Sequence, residues 1–409
     1  VDFDDTPAEA EYRRQVRKFL NAHHDELVHG DGEYLNEPGV ENIDDLRRTQ
    51  ALLYDAGYVG VTWPIAYGGR GGTAMQQAIV TQELALAAIP ALANFVGLGM
   101  CGPTVLAHGT EDQKARYIRR LLRADDMWCQ LFSEPGSGSD LAALRTTAVR
   151  QEDGTWRVDG QKVWNTRAQY SAYGILLART DHTVAKHRGL TMFVVDMRAP
   201  GVTVRPLEQM NGDHEFTEVY LDGVVIPDIE RLGAVNDGWR VALTTLMNER
   251  LAVGGGGNEV GVRLEALIQH ARERLPGLPG DTQVLARQAL GRVVVESLAT
   301  RYTGYRRLTA IARGEIPGPE ASAGKLSAVR TARAGADLGV RLLGPEAVYG
   351  RTSKGEWLWP TAQASVPGTA IAGGTDEVLR NILGERILGL PPEPRTDTQP
   401  VSASKGGRS

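Results

Sequence analysis

The loop WCQLFSEPGSGSDLAALRTTA, Trp128 to Ala148, is the densest run of potential chemistry in the sequence. Ser133, Ser137, Ser139 and Asp140 offer short polar groups. Gly136 and Gly138 let backbone N–H groups line a concavity able to hold a phosphate or the polar edge of a ring. An unliganded glycine-serine turn is the other reading of the same residues. A second candidate is IAGGTDEVLRN, Ile371 to Asn381, where Thr375 is placed to cap a helix with Asp376 and Glu377 in its first turn. The preceding Gly373-Gly374 pair either makes a tight turn at positive φ or leaves room for a group bound at the free N–H groups of that helix. A third is Trp164 with Thr166, at the end of the strand-like VDGQKVWNT, where the indole serves either a core or the wall of a binding site.

The elements that must position these residues change period twice along the chain. From Pro7 to about Arg123 the pattern is helical, as in PAEAEYRRQVRKFLNAHH, with Tyr12, Val16, Phe19 and Leu20 on one face. From about Met127 to Leu232 it becomes strand-like. TTAVRQEDGTWRVDGQKVWNT predicts strands joined at Asp153-Gly154 and again at Asp159-Gly160, and further β-rich runs follow. From Gly238 the helices return in four long segments of bundle character. The sequence thus predicts an α+β chain: a helical domain over 1–126, a β-domain over 127–232, a helical bundle over 233–392 and a disordered tail over 393–409. A β-module between helical ones creates clefts of the kind that hold cofactors.

Bulk properties exclude several classes. The 409 residues are 42% apolar and 23% charged, an ordinary globular composition. A net charge of −5 with no basic block predicts neither a nucleic-acid partner nor an anionic membrane surface. No charged leader or long apolar run predicts export or membrane insertion. The two cysteines, Cys101 and Cys129, fall in no metal-ligand spacing, so buried thiols, a cytoplasmic location and no metal are expected.

Taken in order, GVTWPIAYGGRGG, SEPGSGSDLAALRT, VDGQKVWNT, KHRGLTMFVVDM and GGTDEVLRNILGERILGLP resemble the acyl-CoA dehydrogenase family over Asp2 to Pro394, closest to its actinobacterial, FadE-like branch. The resemblance implies an N-terminal helical domain, a middle β-barrel domain and a C-terminal four-helix bundle, with FAD in the cleft between them. It implies that Gln130, Phe132, Ser133, Trp164 and Thr166 meet the flavin ring, that Gly138 and Ser139 lie in the pyrophosphate and pantetheine region, and that Gly374, Thr375 and Glu377 meet the nucleotide. Ser139, Met247 and Arg250 are the residues expected at the acyl-CoA substrate.

Dehydrogenation of a thioester across Cα–Cβ needs a base for the α-proton. Many family members carry a Glu immediately before the Gly-Thr pair, but Gly373 stands there. Other members carry it on a C-terminal-domain helix in a Glu-Arg pair, and TTLMNERLAVGGGGNEVG places Glu249-Arg250 at the matching site. Glu249 lies among Leu246, Met247, Leu251 and Val253, surroundings that raise a carboxylate's pKa. An ion pair with a neighbouring helix is its structural alternative. The glycines 254–257 cost about 3–4 kcal/mol of helix propensity and either permit close packing or widen an acyl pocket for a bulky, branched or cyclic group. Arg167, following the Trp-x-Thr, is expected to point outward. Arg287-Gln288 only partly follows the pattern that reaches a neighbouring subunit's adenine. The resemblance implies a homo-oligomer (dimer or tetramer) or a heterotetramer, with an electron-transfer flavoprotein as acceptor. A non-catalytic partner subunit and a flavin oxidase or monooxygenase are the alternatives.

Overall fold

The computed structural model describes residues 5–28, 42–254, 264–315, 318–349 and 358–392. The predicted tail 393–409, glycines 255–257 and the side chain of Arg250 lie outside the described residues.

The N-terminal region comprises helices α1 (Pro7–Ala22), α2 (His24–Val28), α3 (Ile43–Asp55), α4 (Ala74–Leu86), α5 (Gly102–His108) and α6 (Glu111–Arg123). Local chemistry starts them. Thr6 and Glu9, Thr73 and Gln76, and Thr110 and Gln113 form reciprocal capping boxes at α1, α4 and α6. One turn of π-helix, Gly97–Cys101, runs directly into α5.

The middle region is an eight-stranded mixed sheet. Its strands are β1 (Trp128–Leu131), β2 (Thr147–Arg150), β3 (Trp156–Thr166), β4 (Tyr173–Arg179), β5 (Leu190–Asp196), β6 (Val202–Pro206), β7 (Phe216–Ile226) and β8 (Arg231–Leu232). The order is β6-β7-β3-β2-β4-β5-β8, with β1 pairing β4 in parallel. The expected turn at Asp153-Gly154 joins β2 to β3, with Gly154 at φ +85°. The turn expected at Asp159-Gly160 is not one: β3 runs through it with a register shift against β7. A Cβ on Gly160 would meet the Thr146 Oγ1 at 2.4 Å, so this glycine serves close packing rather than reversal.

The C-terminal region contains α7 (Gly238–Gly254), α8 (Leu264–Arg274), α9 (Gly280–Ala312), α10 (Ala321–Leu343), α11 (Glu346–Tyr349), α12 (Leu358–Ile371) and α13 (Asp376–Arg386). The periodicity did not reveal α12, a segment that carries Pro360 and Pro367, residues that ordinarily interrupt helices. Pro367 nevertheless lies inside the helix.

Core packing does not follow these three regions. One cluster joins Leu20, Leu53, Ile118 and Leu121 to Ile175, Leu177, Met192 and Val194 of the sheet and to Val241 and Ala242 of α7. The intervening residues Leu176, Ala178, Phe193 and Val195 face a second cluster with Val219 and Leu221. Strands β4 and β5 are therefore buried on both faces, which is why they read as continuous apolar runs. The bundle has its own core around Leu267, Leu338, Leu342 and Trp359. Helix α7, although C-terminal in the chain, is rooted in the first cluster. A Cβ on Gly238 would strike the Thr191 backbone at 2.6 Å, so the helix starts pressed against β5.

Candidate active site

Helix α7 buries Val241, Ala242 and Thr245 completely, and the Thr245 hydroxyl lies 2.8 Å from that of Thr104 on α5. One turn beyond Thr245 on the same face comes Glu249. Its Oε2 accepts a long hydrogen bond, 3.4 Å, from the Gln130 Nε2 on β1. Its Oε1 lies 3.8 Å from where a Cβ on Gly373 would stand. The glycine without a carboxylate and the helix that carries one therefore face the same point.

Gln130 is held through its backbone, whose carbonyl accepts from the Asn165 Nδ2 at 2.8 Å. Asn165 is almost fully buried, and the Thr217 hydroxyl donates to its carbonyl at 3.0 Å. Asn165 sits between two of the sequence candidates, Trp164 and Thr166, and Trp164 adopts φ +62° at a bulge in β3. That conformation turns the indole out: Trp164 is 61% exposed, edge-on to the Phe216 ring at 6.0 Å. The core reading of this tryptophan fails, because the bulge reverses the inward alternation of the strand.

On the opposite side, Gly373 and Gly374 both have positive φ, +69° and +92°. Thr375 caps α13 as expected, its hydroxyl accepting from the Val378 N–H at 3.2 Å. Lys325 on α10, which sequence reasoning missed, fastens this loop. Its fully buried Nζ donates to the carbonyls of Gly374 at 2.9 Å and Ala370 at 3.2 Å, with Asp376 Oδ1 at 3.6 Å. Burial pushes the ammonium below its ordinary pKa, while Asp376, Glu249 and Glu377 act in the opposite sense. A lone lysine amid small residues in EASAGKLSAV was the available signal.

The loop after β1 is fixed by a second buried lysine. Lys162 donates to the Phe132 carbonyl and to the Glu134 Oε1, both at 2.9 Å. Glu134 also accepts the N–H groups of Arg145 and Thr146. Burial works to raise the Glu134 carboxyl, but the Lys162 charge and these donors hold it below its ordinary value. The Phe132 side chain is in the core, whereas Ser133 is half-buried and Gly138 and Ser139 are exposed. A Cβ on Gly136 or Gly138 would meet nothing within 4 Å.

Met247 lies on α7 and is 38% exposed, and Glu377 is exposed on α13. Arg167 does not point outward. It is buried, donates to the Ala93 carbonyl at 3.1 Å and lies over the Phe95 ring at 5.2 Å, joining the end of β3 to the segment that enters the π-turn. Arg287 and Gln288 are exposed on α9. Among the described residues no cluster of three or more His, Cys, Asp or Glu could hold a metal, and no helix is long and apolar enough to cross a membrane. A cavity of about 310 Å³ among Tyr12, Tyr58 and Arg70 shares no residue with this cluster.

Three family profiles match in order: acyl-CoA dehydrogenase N-terminal domain over residues 6–125, middle domain over 129–224 and C-terminal domain over 236–388. The chain belongs to the acyl-CoA dehydrogenase family. This places it among flavoprotein oxidoreductases, in the actinobacterial FadE-like branch. Acyl-CoA dehydrogenase FadE34 of Mycobacterium tuberculosis (strain ATCC 25618 / H37Rv) is 40% identical over 84% of this chain, and the chain spans only 46% of that protein. Acyl-CoA dehydrogenase IpdE1 of the same organism is 34% identical over 94% of this chain and 98% of its own length. The solved structure of the Tcur3481-Tcur3483 steroid ACAD superposes with a TM-score of 0.81 at 28% identity, covering 96% of this chain and 100% of that one.

Proposed function

We propose that this chain catalyses the α,β-dehydrogenation of an acyl-CoA thioester with Glu249 as the base. The observation that carries the reading is the convergence of the Glu249 carboxylate on the space above Gly373, 3.8 Å from the missing Cβ. Residues present fit FAD. Trp164 offers an exposed indole beside buried, unpartnered oxygens on Gln130 and Asn165, and the loop glycines 136 and 138 leave open approach to backbone. Gln130, Ser133, Trp164 and Thr166 would face the ring, the Phe132 backbone would border it, and Gly374, Thr375 and Glu377 would hold the nucleotide end. Bound FAD supplies the acceptor for the Cβ hydride.

The chain's own part is the proton. Glu249 takes it from Cα onto a carboxylate oxygen, and the electron pair of the broken C–H bond becomes the second bond of Cα=Cβ. Glu249 is half-buried with the fully buried Cys101 near it, and a substrate that excludes water from this point would strengthen the anion as a base. Gly138 and Ser139 would meet the CoA arm, with Met247 and Arg250 along the acyl group.

A bulky, branched or cyclic acyl group is the substrate class. The absent side chain at Gly373 leaves room at the reacting carbons, and the similarity to a protein described as a steroid ACAD supports it. A homo-oligomer (dimer or tetramer) or a heterotetramer with a second chain is part of the proposal, and the relative named for two proteins, Tcur3481-Tcur3483, supports the latter. An electron-transfer flavoprotein is the proposed acceptor, and two buried free thiols suit the cytoplasm. Glu249→Gln in the flavin-loaded protein tests the base. Reduction by a bulky acyl-CoA, followed by flavin bleaching, should fall by several orders of magnitude. Undiminished bleaching, or a preference for straight-chain over bulky thioesters, would refute the corresponding part.

A further inference from the structure

Resting on that reading, we propose that Gln130 is the positioning residue of the base: its side-chain amide aligns the Glu249 carboxylate, and Asn165 fixes the backbone from which that amide projects. Two observations carry this. The Gln130 Nε2 donates to Glu249 Oε2 at 3.4 Å, long for a hydrogen bond and able to shorten when substrate binds. The other end of the same amide, Oε1, is buried without a hydrogen-bond partner.

An unsatisfied buried carbonyl oxygen is costly to keep, so its retention calls for a use. A carboxylate can only accept, and Nε2 suits it. A carboxylic acid can also donate, and then an acceptor is needed. Rotation about the last bond of Gln130 exchanges Nε2 and Oε1, so one side chain serves Glu249 before and after it takes a proton. A leucine of similar volume would serve neither form.

The brace behind the amide is equally specific. Asn165 donates to the Gln130 carbonyl at 2.8 Å, and its own Oδ1 is also buried and unpartnered. Other groups that act on the base come from separate elements: Cys101 in the π-turn, with Cys129 of β1 beside it, and Lys325 on α10 with Asp376 and Glu377 beyond it on α13. Replacing Gln130 leaves these side chains in place and removes the amide.

The test uses flavin-loaded wild type and Gln130→Leu. The first readout is the pH profile of flavin reduction by a saturating acyl-CoA. The second is the carboxylic-acid C=O band in infrared difference spectra against Glu249→Gln, which follows the Glu249 proton without turnover. Losing a partner that holds the anion more strongly than the acid should move both midpoints upward by about one pH unit, the excess of a charge-assisted hydrogen bond over a neutral one. Asn165→Leu should move them the same way by less, and stands in if Gln130→Leu does not fold. Unmoved midpoints with reduced flavin content would overturn the proposal and leave Gln130 a cofactor contact alone. Because the infrared band reports Glu249 whether or not it is the base, this failure is separable from failure of the catalytic assignment.

Discussion

The two sides of the candidate site are held by different means. Glu249 rides on a helix whose inner face lies in the core shared by the N-terminal helices and the sheet, and its partner Gln130 stands on a strand braced by Asn165. The Gly373-Gly374 loop hangs between α12 and α13 and is fastened by one buried ammonium, that of Lys325. The contrast gives a physical reason for where the carboxylate sits. A glutamate at 373 would require φ +69°, a conformation that costs a side chain about 1–2 kcal/mol, on the less anchored side. On α7 the same carboxylate reaches the same point from ordinary helical backbone and the stiffer support.

The largest test of this contrast attacks the sheet side. Lys162→Met leaves the Glu134 charge buried without its cation and should cost about 3–5 kcal/mol in chemical denaturation. The double variant with Glu134→Gln should recover most of that loss. If the single variant is neutral, the sheet side is not the rigid one. Next comes Lys325→Met, which strands two carbonyls and should cost about 1–3 kcal/mol. Hydrogen exchange should speed up over residues 370–376 while β1 stays protected, and equal loosening of both would erase the distinction. Smallest is Gly373→Ala. The added Cβ meets Glu249 Oε1 at an ordinary 3.8 Å, so only the backbone conformation is penalised, by about 1–2 kcal/mol. A larger loss of stability would mean that the space above Gly373 is already filled.

Much of the architecture was legible because it is local. The Asp153-Gly154 hairpin and the Thr375 cap each depend on residues within four of one another. The errors share a cause. Asp159-Gly160 and Pro367 carry local signals of turn and breaker that tertiary packing overrides: the first is a bulge and the second lies within α12. Lys325, Lys162 and Arg167 were missed or misplaced for the complementary reason. A buried cation is made tolerable only by oxygens and rings from distant segments, and no local pattern announces them.

The sequence by itself determined that a carboxylate was absent at 373 and present at 249, and that each position lay next to a helix with the right apolar face. Only the tertiary structure decided that the two meet. Their approach depends on how α7 seats against the sheet and how Lys325 folds the glycine loop back, and such long-range packing leaves no periodicity to read. Side-chain identity was written locally, but proximity came from the cores.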